Sequence, residues 1–309
     1  MRAKGSTLPL KKSPMRWQEI ICGYVFSAPF IIGFLVFTII PMLFSFYLSF
    51  TDYSITKAPN FVGFQNYIRM FTNDPRFVKS IFVTLYYVFA SVPIKLGFAL
   101  LVAFLLTRPT KAVGAYRAIY YLPSLIGGSV AVSLVWKELF AAKGVINSIL
   151  SFLGYKGTIY WIGDPRFAIW ILILMSAWQF GSSMIIFAAG LKQIPVVYYE
   201  AARIDGASLS KQFRYITLPS LSPVIFFNLV MQTIGAFMSF TQAFIITRGQ
   251  PSDSTLFYAL YVYTRAFNYF DMGYASAMAW ILLVMIAIVT AVLFKTSNNW
   301  VYYESKIRS

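Results

Sequence analysis

Apolar and polar stretches alternate along this chain on the scale of a lipid bilayer. Six long apolar runs stand out, at about 24–50, 80–106, 118–136, 168–189, 220–246 and 274–294. Each is long enough to cross a hydrocarbon layer of ~30 Å at 1.5 Å per residue. Inside such a layer the backbone polar groups must be satisfied within the segment, so these runs read as helices. The pattern predicts an all-α integral membrane protein with one six-span domain over residues 24–296. The first run follows a basic tail, residues 1–23, with Arg2, Lys4, Lys11, Lys12 and Arg16. That order is similar to a signal peptide. The run is too long for an h-region of about 7–15 residues, however, and no small-residue cleavage site closes it. It reads as a retained span in which Pro29 and Pro41 introduce kinks.

The connectors are unequal. Residues 51–79 are turn-rich, with Thr51-Asp52-Tyr53, Pro59-Asn60 and Asn73-Asp74-Pro75, and 137–167 carry Gly144, Gly154, Gly157 and Asp164-Pro165. Thr107-Arg108-Pro109-Thr110-Lys111 ends the second span, and Pro123 with Gly127-Gly128 interrupts the third. The stretch 190–219 is polar and basic and has the grammar of two short helices. Pro195 suits a first helical position, Gly206 the left-handed position past a helix end, and Ser208 a second N-cap. The second helix carries Leu209, Phe213 and Ile216 until Pro219 stops it or opens the next one. Val197, Glu200, Ala201 and Ile204 share one face of the first. On periodicity alone an ordinary cytoplasmic connector between spans is the better reading of this stretch. A basic tail, 297–309, closes the chain.

Charge orients the spans. With the N-terminus inside, segments 1–23, 107–117, 191–219 and 295–309 carry Lys and Arg more densely than 51–79, 137–167 and 247–273. Both termini and Glu200 then lie in the cytoplasm. The composition agrees: 59% of the 309 residues are hydrophobic and 12% charged, and the mean hydropathy is +0.67. The net charge of +16 reads as juxtamembrane Lys and Arg facing membrane lipid, and no nucleic-acid partner is expected. Cys22 is alone and there is no histidine, so neither an internal disulfide nor a Cys/His metal cluster can form. All ten acidic residues fall outside the six spans, and Lys95 is the one charge within them. A proton-coupled carrier needs an intramembrane group that changes charge, so proton coupling is disfavoured; sodium coupling through hydroxyls and carbonyls is excluded less firmly. No G-x-x-x-x-G-K-[ST] loop is present, so energy is expected from another chain.

Four motifs carry a family resemblance. Glu200-Ala201-Ala202, Asp205-Gly206-Ala207, then Ile216, Leu218 and Pro219 resemble the EAA loop of binding-protein-dependent ABC importer permeases. Phe61-Val62-Gly63-Phe64-Gln65-Asn66-Tyr67 resembles the F-V-G-x-x-N-Y element of the sugar-type members, although an amphipathic turn packing aromatics accounts for the same residues. Thr247-Arg248-Gly249-Gln250-Pro251 resembles their T-x-G-G-P turn, with Gln250 departing from the second Gly. Ala266 to Ala277 resembles their A-F-x-x-x-x-x-G-Y-A-S-A run. The chain is identified as resembling the maltose-type, oligosaccharide branch. The resemblance implies a six-helix ABC importer type I transmembrane domain in a bacterial cytoplasmic membrane. It also implies a second homologous permease in a heterodimer, two ATPase subunits holding ATP and Mg, and an extracytoplasmic solute-binding protein. Glu200, Ala201, Ala202, Asp205, Gly206 and Ala207 would form the helix that docks on an ATPase. No catalytic residue, cofactor or metal is expected in this chain.

A sugar pathway would be polar but uncharged. Candidates on the fourth span are Ser176, Trp178, Gln179, Ser182 and Ser183, and on the fifth Asn228, Gln232, Ser239, Phe240, Thr241, Gln242 and Phe244. The resemblance directs attention to these two spans. Amides and hydroxyls exchange hydrogen bonds with sugar hydroxyls, and aromatic faces pack on a pyranose ring. The same residue types also join helices inside membranes. A self-contained sodium-coupled transporter and a membrane-embedded enzyme or assembly factor are the competing classes. Missing intramembrane acids disfavour the first, and missing His, Cys and acidic clusters the second.

Overall fold

The computed structural model describes residues 14–107 and 113–302, and they are overwhelmingly helical. Tail residues Arg2, Lys4, Lys11 and Lys12, the turn residues Arg108 and Lys111, and Glu304 lie outside the described part. The helices are α1 (Pro14–Phe34), α2 (Ile40–Leu48), α3 (Gln65–Thr72), α4 (Pro75–Leu105), α5 (Val113–Ile126), α6 (Val130–Leu139) and α7 (Val145–Phe152). They continue as α8 (Pro165–Trp178), α9 (Gly181–Gln193), α10 (Val196–Ile204), α11 (Leu209–Gln212), α12 (Leu218–Phe237), α13 (Tyr258–Tyr263) and α14 (Met272–Ser297). Among the described residues four helical runs are long and apolar enough to cross a membrane, Ile20–Leu48, Pro75–Leu105, Leu209–Phe237 and Met272–Ser297, or six if the bent pairs α5–α6 and α8–α9 each count as one span.

The centre of the bundle is α4. It packs against α8, α9 and α12, and α14 closes the side formed by α12, α13 and α2. Asp74 caps α4 by accepting from the Phe77 N–H, and Pro75 follows at a first-turn position where its missing donor has no cost. Two apolar clusters fill the bundle. One, at the N-terminal half of α4, gathers Phe77, Leu172, Met175, Phe257 and Met278 around the ring of Tyr258. The other, at its C-terminal half, joins Val92, Ala99, Met184, Phe187, Leu191 and Leu221. Glycines let the backbones approach: a Cβ on Gly181 would lie 2.3 Å from the Tyr120 carbonyl, and one on Gly190 2.8 Å from Leu221.

Several boundaries differ from the sequence reading, each for a local reason. Residues 14–23, expected as tail, already belong to α1. Pro219 opens α12, one of the two roles the sequence allows it, and Pro41 likewise sits in the first turn of α2. A π-helical turn, Leu35–Ile39 or Phe213–Thr217, precedes each proline by two residues and takes up the missing N–H bond. The third span is no single helix, because α5 and α6 meet at 98° across Gly127-Gly128-Ser129. The fourth bends by 42° between Trp178 and Gly181. The fifth begins at Leu209, ends at Phe237, and resumes only as a π turn over Ala243–Thr247. The connectors 51–79, 137–167 and 247–273 fold into α3, α7 and α13 instead of remaining loops.

Candidate functional site

Three regions concentrate the unusual residues, and α4 fixes their spacing. Its 31 residues correspond to ~46 Å of helix, more than a bilayer core.

A charged knot surrounds the N-terminal end of α4. The Asp74 side chain is 4% exposed, and its Oδ2 accepts from Tyr261 (2.6 Å), Tyr274 (2.7 Å) and Arg265 (2.7 Å). Burial pushes this carboxyl up; the hydrogen bonds from Tyr261, Tyr274 and Arg265, with the Arg265 charge, outweigh burial and hold it below the usual carboxylate range. Arg265 also lies over the rings of Tyr261, Tyr269 and Tyr274. Arg76 grips Asp253 through two hydrogen bonds, and Arg69 pairs with Asp271. The three motifs other than the 190–219 stretch meet here. Asn66 donates to the carbonyls of Ser49 and Thr51, and Tyr67 donates to the Ser49 hydroxyl, so the F-V-G-x-x-N-Y element ties α3 to the end of α2. The Gly273 N–H donates to the Tyr53 carbonyl, and any Cβ on it would strike Thr51. Thr255 donates to the Thr247 hydroxyl, closing the turn that holds the cis Gln250-Pro251 bond.

At the other end of α4, Phe104 meets Phe213 at 5.2 Å, and the stretch 190–219 projects beyond. It holds α10 and α11 around a Schellman turn: the Ala207 N–H reaches the Ala202 carbonyl and the Gly206 N–H the Arg203 carbonyl, with Gly206 at φ +74°. Ser208 caps α11 by accepting from the Lys211 N–H, and Gln212 donates to the Ala207 carbonyl. Pro195 occupies the N-cap itself, one position earlier than the sequence reading places it. The Tyr199–Thr217 hydroxyl contact at 2.9 Å ties α10 back to the bundle. Glu200, Ala201, Asp205 and Gly206 are exposed, and Ala202 and Ala207 are half-buried. Val196, Val197 and Ile204 also face outward, Ile204 at 87%. Together they form an exposed apolar surface beside the Glu200 carboxylate.

Between the two ends lies a cavity of about 300 Å3. The three helix interruptions, at Gly128, at Gln179 and over Met238–Gln242, all open onto it. Irregular backbone within apolar spans survives where it is buried in protein or lines a polar cavity, and here it lines this one. Ser124 stabilises the second break by donating to the Gln179 carbonyl and accepting from the Ser182 N–H. Seven of the pathway candidates reach the wall: Ser176, Gln179, Gln232, Ser239, Phe240, Thr241 and Gln242. The others have different surroundings. Trp178 packs on Trp136 at 5.7 Å, Ser183 is fully buried with an unpaired hydroxyl, and Asn228 donates to the Val224 carbonyl of its own helix. Ser182 serves the α8–α9 break, and Phe244 stacks on Phe240. Choosing two spans missed what α4 supplies, Tyr87 and Lys95. Lys95 was visible in the sequence as the lone intramembrane charge.

The fold and site together define a multi-pass membrane subunit with a polar cavity at its helix breaks. The family model "Binding-protein-dependent transport system inner membrane component" matches residues 69–299, and the chain belongs to that family. It is 54% identical over 96% of its length, and 97% of the relative's, to the "Probable ABC transporter permease protein YesP" of Bacillus subtilis (strain 168). It is 31% identical to the "Arabinooligosaccharides transport system permease protein AraP" of the same organism, covering 90% of this chain and 88% of the relative. Its fold matches a chain from "a bacterial ABC transporter involved in the import of the acidic polysaccharide alginate", with TM-score 0.79, 24% identity and coverage of 91% and 98%.

Proposed function

We propose that this chain is a membrane-spanning permease subunit through which an ATP-driven importer passes an oligosaccharide. The observation that carries the reading is the polar cavity at the three helix breaks, set between an exposed docking helix at one end of α4 and a cross-braced knot at the other. Discontinuous helices around a mid-membrane cavity are a general design for solute sites. The uncharged amides and hydroxyls of the wall suit a polyol, and Phe240 offers a ring to a pyranose face. Names of relatives such as AraP support a sugar as cargo.

In this reading α10 seats in a cytoplasmic ATPase subunit, with Glu200 providing a charge-assisted contact and Val197 and Ile204 filling a cleft. The complete particle contains a second homologous permease, two ATPases binding ATP and Mg, and an extracytoplasmic solute-binding protein above the knot. ATP binding draws the ATPases together, the Schellman turn passes the motion to α12, and the cavity opens outward to receive sugar. Hydrolysis resets it. This chain performs no covalent chemistry, and both termini are cytoplasmic in a bacterial plasma membrane. The test is Glu200→Lys in the assembled transporter. Uptake should disappear and the ATPase should no longer copurify, while the permease still inserts. Transport that survives this charge reversal would show that α10 is not the coupling element.

A further inference from the structure

Lys95 projects into the cavity from the middle of α4, half-buried. Among the described residues it has neither a hydrogen-bond acceptor nor an ion-pair partner. Among the described residues, five of the chain's carboxylates pair with other cations. Asp52, Asp74, Asp164, Asp253 and Asp271 pair with Lys57, Arg265, Arg166, Arg76 and Arg69. Glu138 closes α6, and Glu200 and Asp205 lie on or beside α10. Ten residues, ~15 Å of helix, separate Lys95 from the end of α4, beyond what a four-carbon stem spans by snorkelling. An ammonium held at this depth is costly unless something neutralises it.

Resting on the cavity reading above, the geometry points to an anionic sugar as the cargo: an oligosaccharide containing a uronic acid, whose carboxylate pairs with Lys95 during passage. The remaining wall groups divide the work. Gln179, Gln232 and Gln242 address hydroxyls, and Phe240 a ring face, so the lysine is the one wall group that distinguishes an acidic sugar from its neutral analogue. The contact forms inside the membrane, so it acts in addition to any selection by a binding protein.

The experiment uses the detergent-purified complete transporter, without binding protein, and measures equilibrium binding. Probes are trimers of glucuronic, galacturonic and mannuronic acid, each beside its carboxyl-reduced counterpart of the same linkage. Wild type should bind at least one acid about tenfold or more tightly than its reduced form, the value of one charge-assisted hydrogen bond. Lys95→Met should erase that preference by weakening the acid about tenfold towards its reduced form, while Lys95→Arg should keep it. ATPase copurification checks that each variant assembles. Equal binding of acid and reduced sugar by wild type would overturn the inference. So would a Lys95→Met variant that weakens both forms alike or fails to assemble, as it would if the lysine pairs with a carboxylate of the second permease. Wild type that binds only reduced sugars sinks this inference alone. Wild type that binds no form sinks it together with the cavity as a sugar site.

Discussion

Asp74→Asn removes one negative charge from the centre of the charged knot. Four donors converge on that carboxylate: Tyr261, Tyr274 and Arg265 on Oδ2, and the Phe77 N–H on Oδ1 at 3.1 Å. An asparagine can keep its oxygen towards the first three only by turning its NH2 against the Phe77 N–H. It also leaves Arg265, whose side chain is 18% exposed, without a counter-ion. Breaking a buried pair in this way costs about 3–5 kcal/mol. A loss of that size lowers the thermal midpoint by on the order of 10 °C. The assay is thermal unfolding in detergent, with Asp52→Asn as control. That pair is exposed, and its loss should leave the midpoint close to that of wild type. Acidification adds a second reading. Folding depresses the Asp74 carboxyl below its ordinary 3.8, so its contribution is whole above that value and drains away as pH falls through the folded value. The gap between wild type and Asp74→Asn should therefore narrow below about pH 4. Coincident midpoints at neutral pH would refute the knot as a source of stability.

Two further substitutions probe other sites. Gly206→Val imposes a branched side chain at φ +74°, where nothing lies within 4 Å, so its effect is purely conformational. It should cost at least about 1–2 kcal/mol in the Schellman turn and reduce transport and ATPase copurification with little change in insertion, read by uptake and pull-down. Gly181→Val drives carbon atoms into the Tyr120 carbonyl and Tyr121 backbone, and should separate α5 from α9 and lower the thermal midpoint.

The spans were legible because a bilayer demands an uninterrupted apolar run, and the runs ending near Leu106 and Phe294 mark α4 and α14 closely. The breaks were less legible. Gly127-Gly128 hinted at one, but the turn at Gln179 and the gap at Met238 contain no proline and only ordinary spacing. They are set by tertiary partners such as Ser124, which no local pattern reveals. The motifs at the charged knot were recognisable as strings, yet their purpose, tying Asn66 to Ser49 and Tyr274 to Asp74, needed residues up to 200 positions apart. Gly206 and Ser208 were readable because left-handed geometry and capping each act through a single residue. Tyr87 was missed because in sequence it is one aromatic among many.

The α1–α2 rod has the most solitary place in the molecule. Its most apolar window is 6% buried, and it joins the other helices mainly near its far end, where Phe46 meets Trp280 at 4.8 Å. During synthesis this segment leaves the ribosome ahead of every helix it will later touch, so its residence in lipid is decided by greasiness alone. A polar replacement at Phe30 or Phe37 would therefore show up as failed insertion by the translocon, with no packing defect to detect in molecules that do insert.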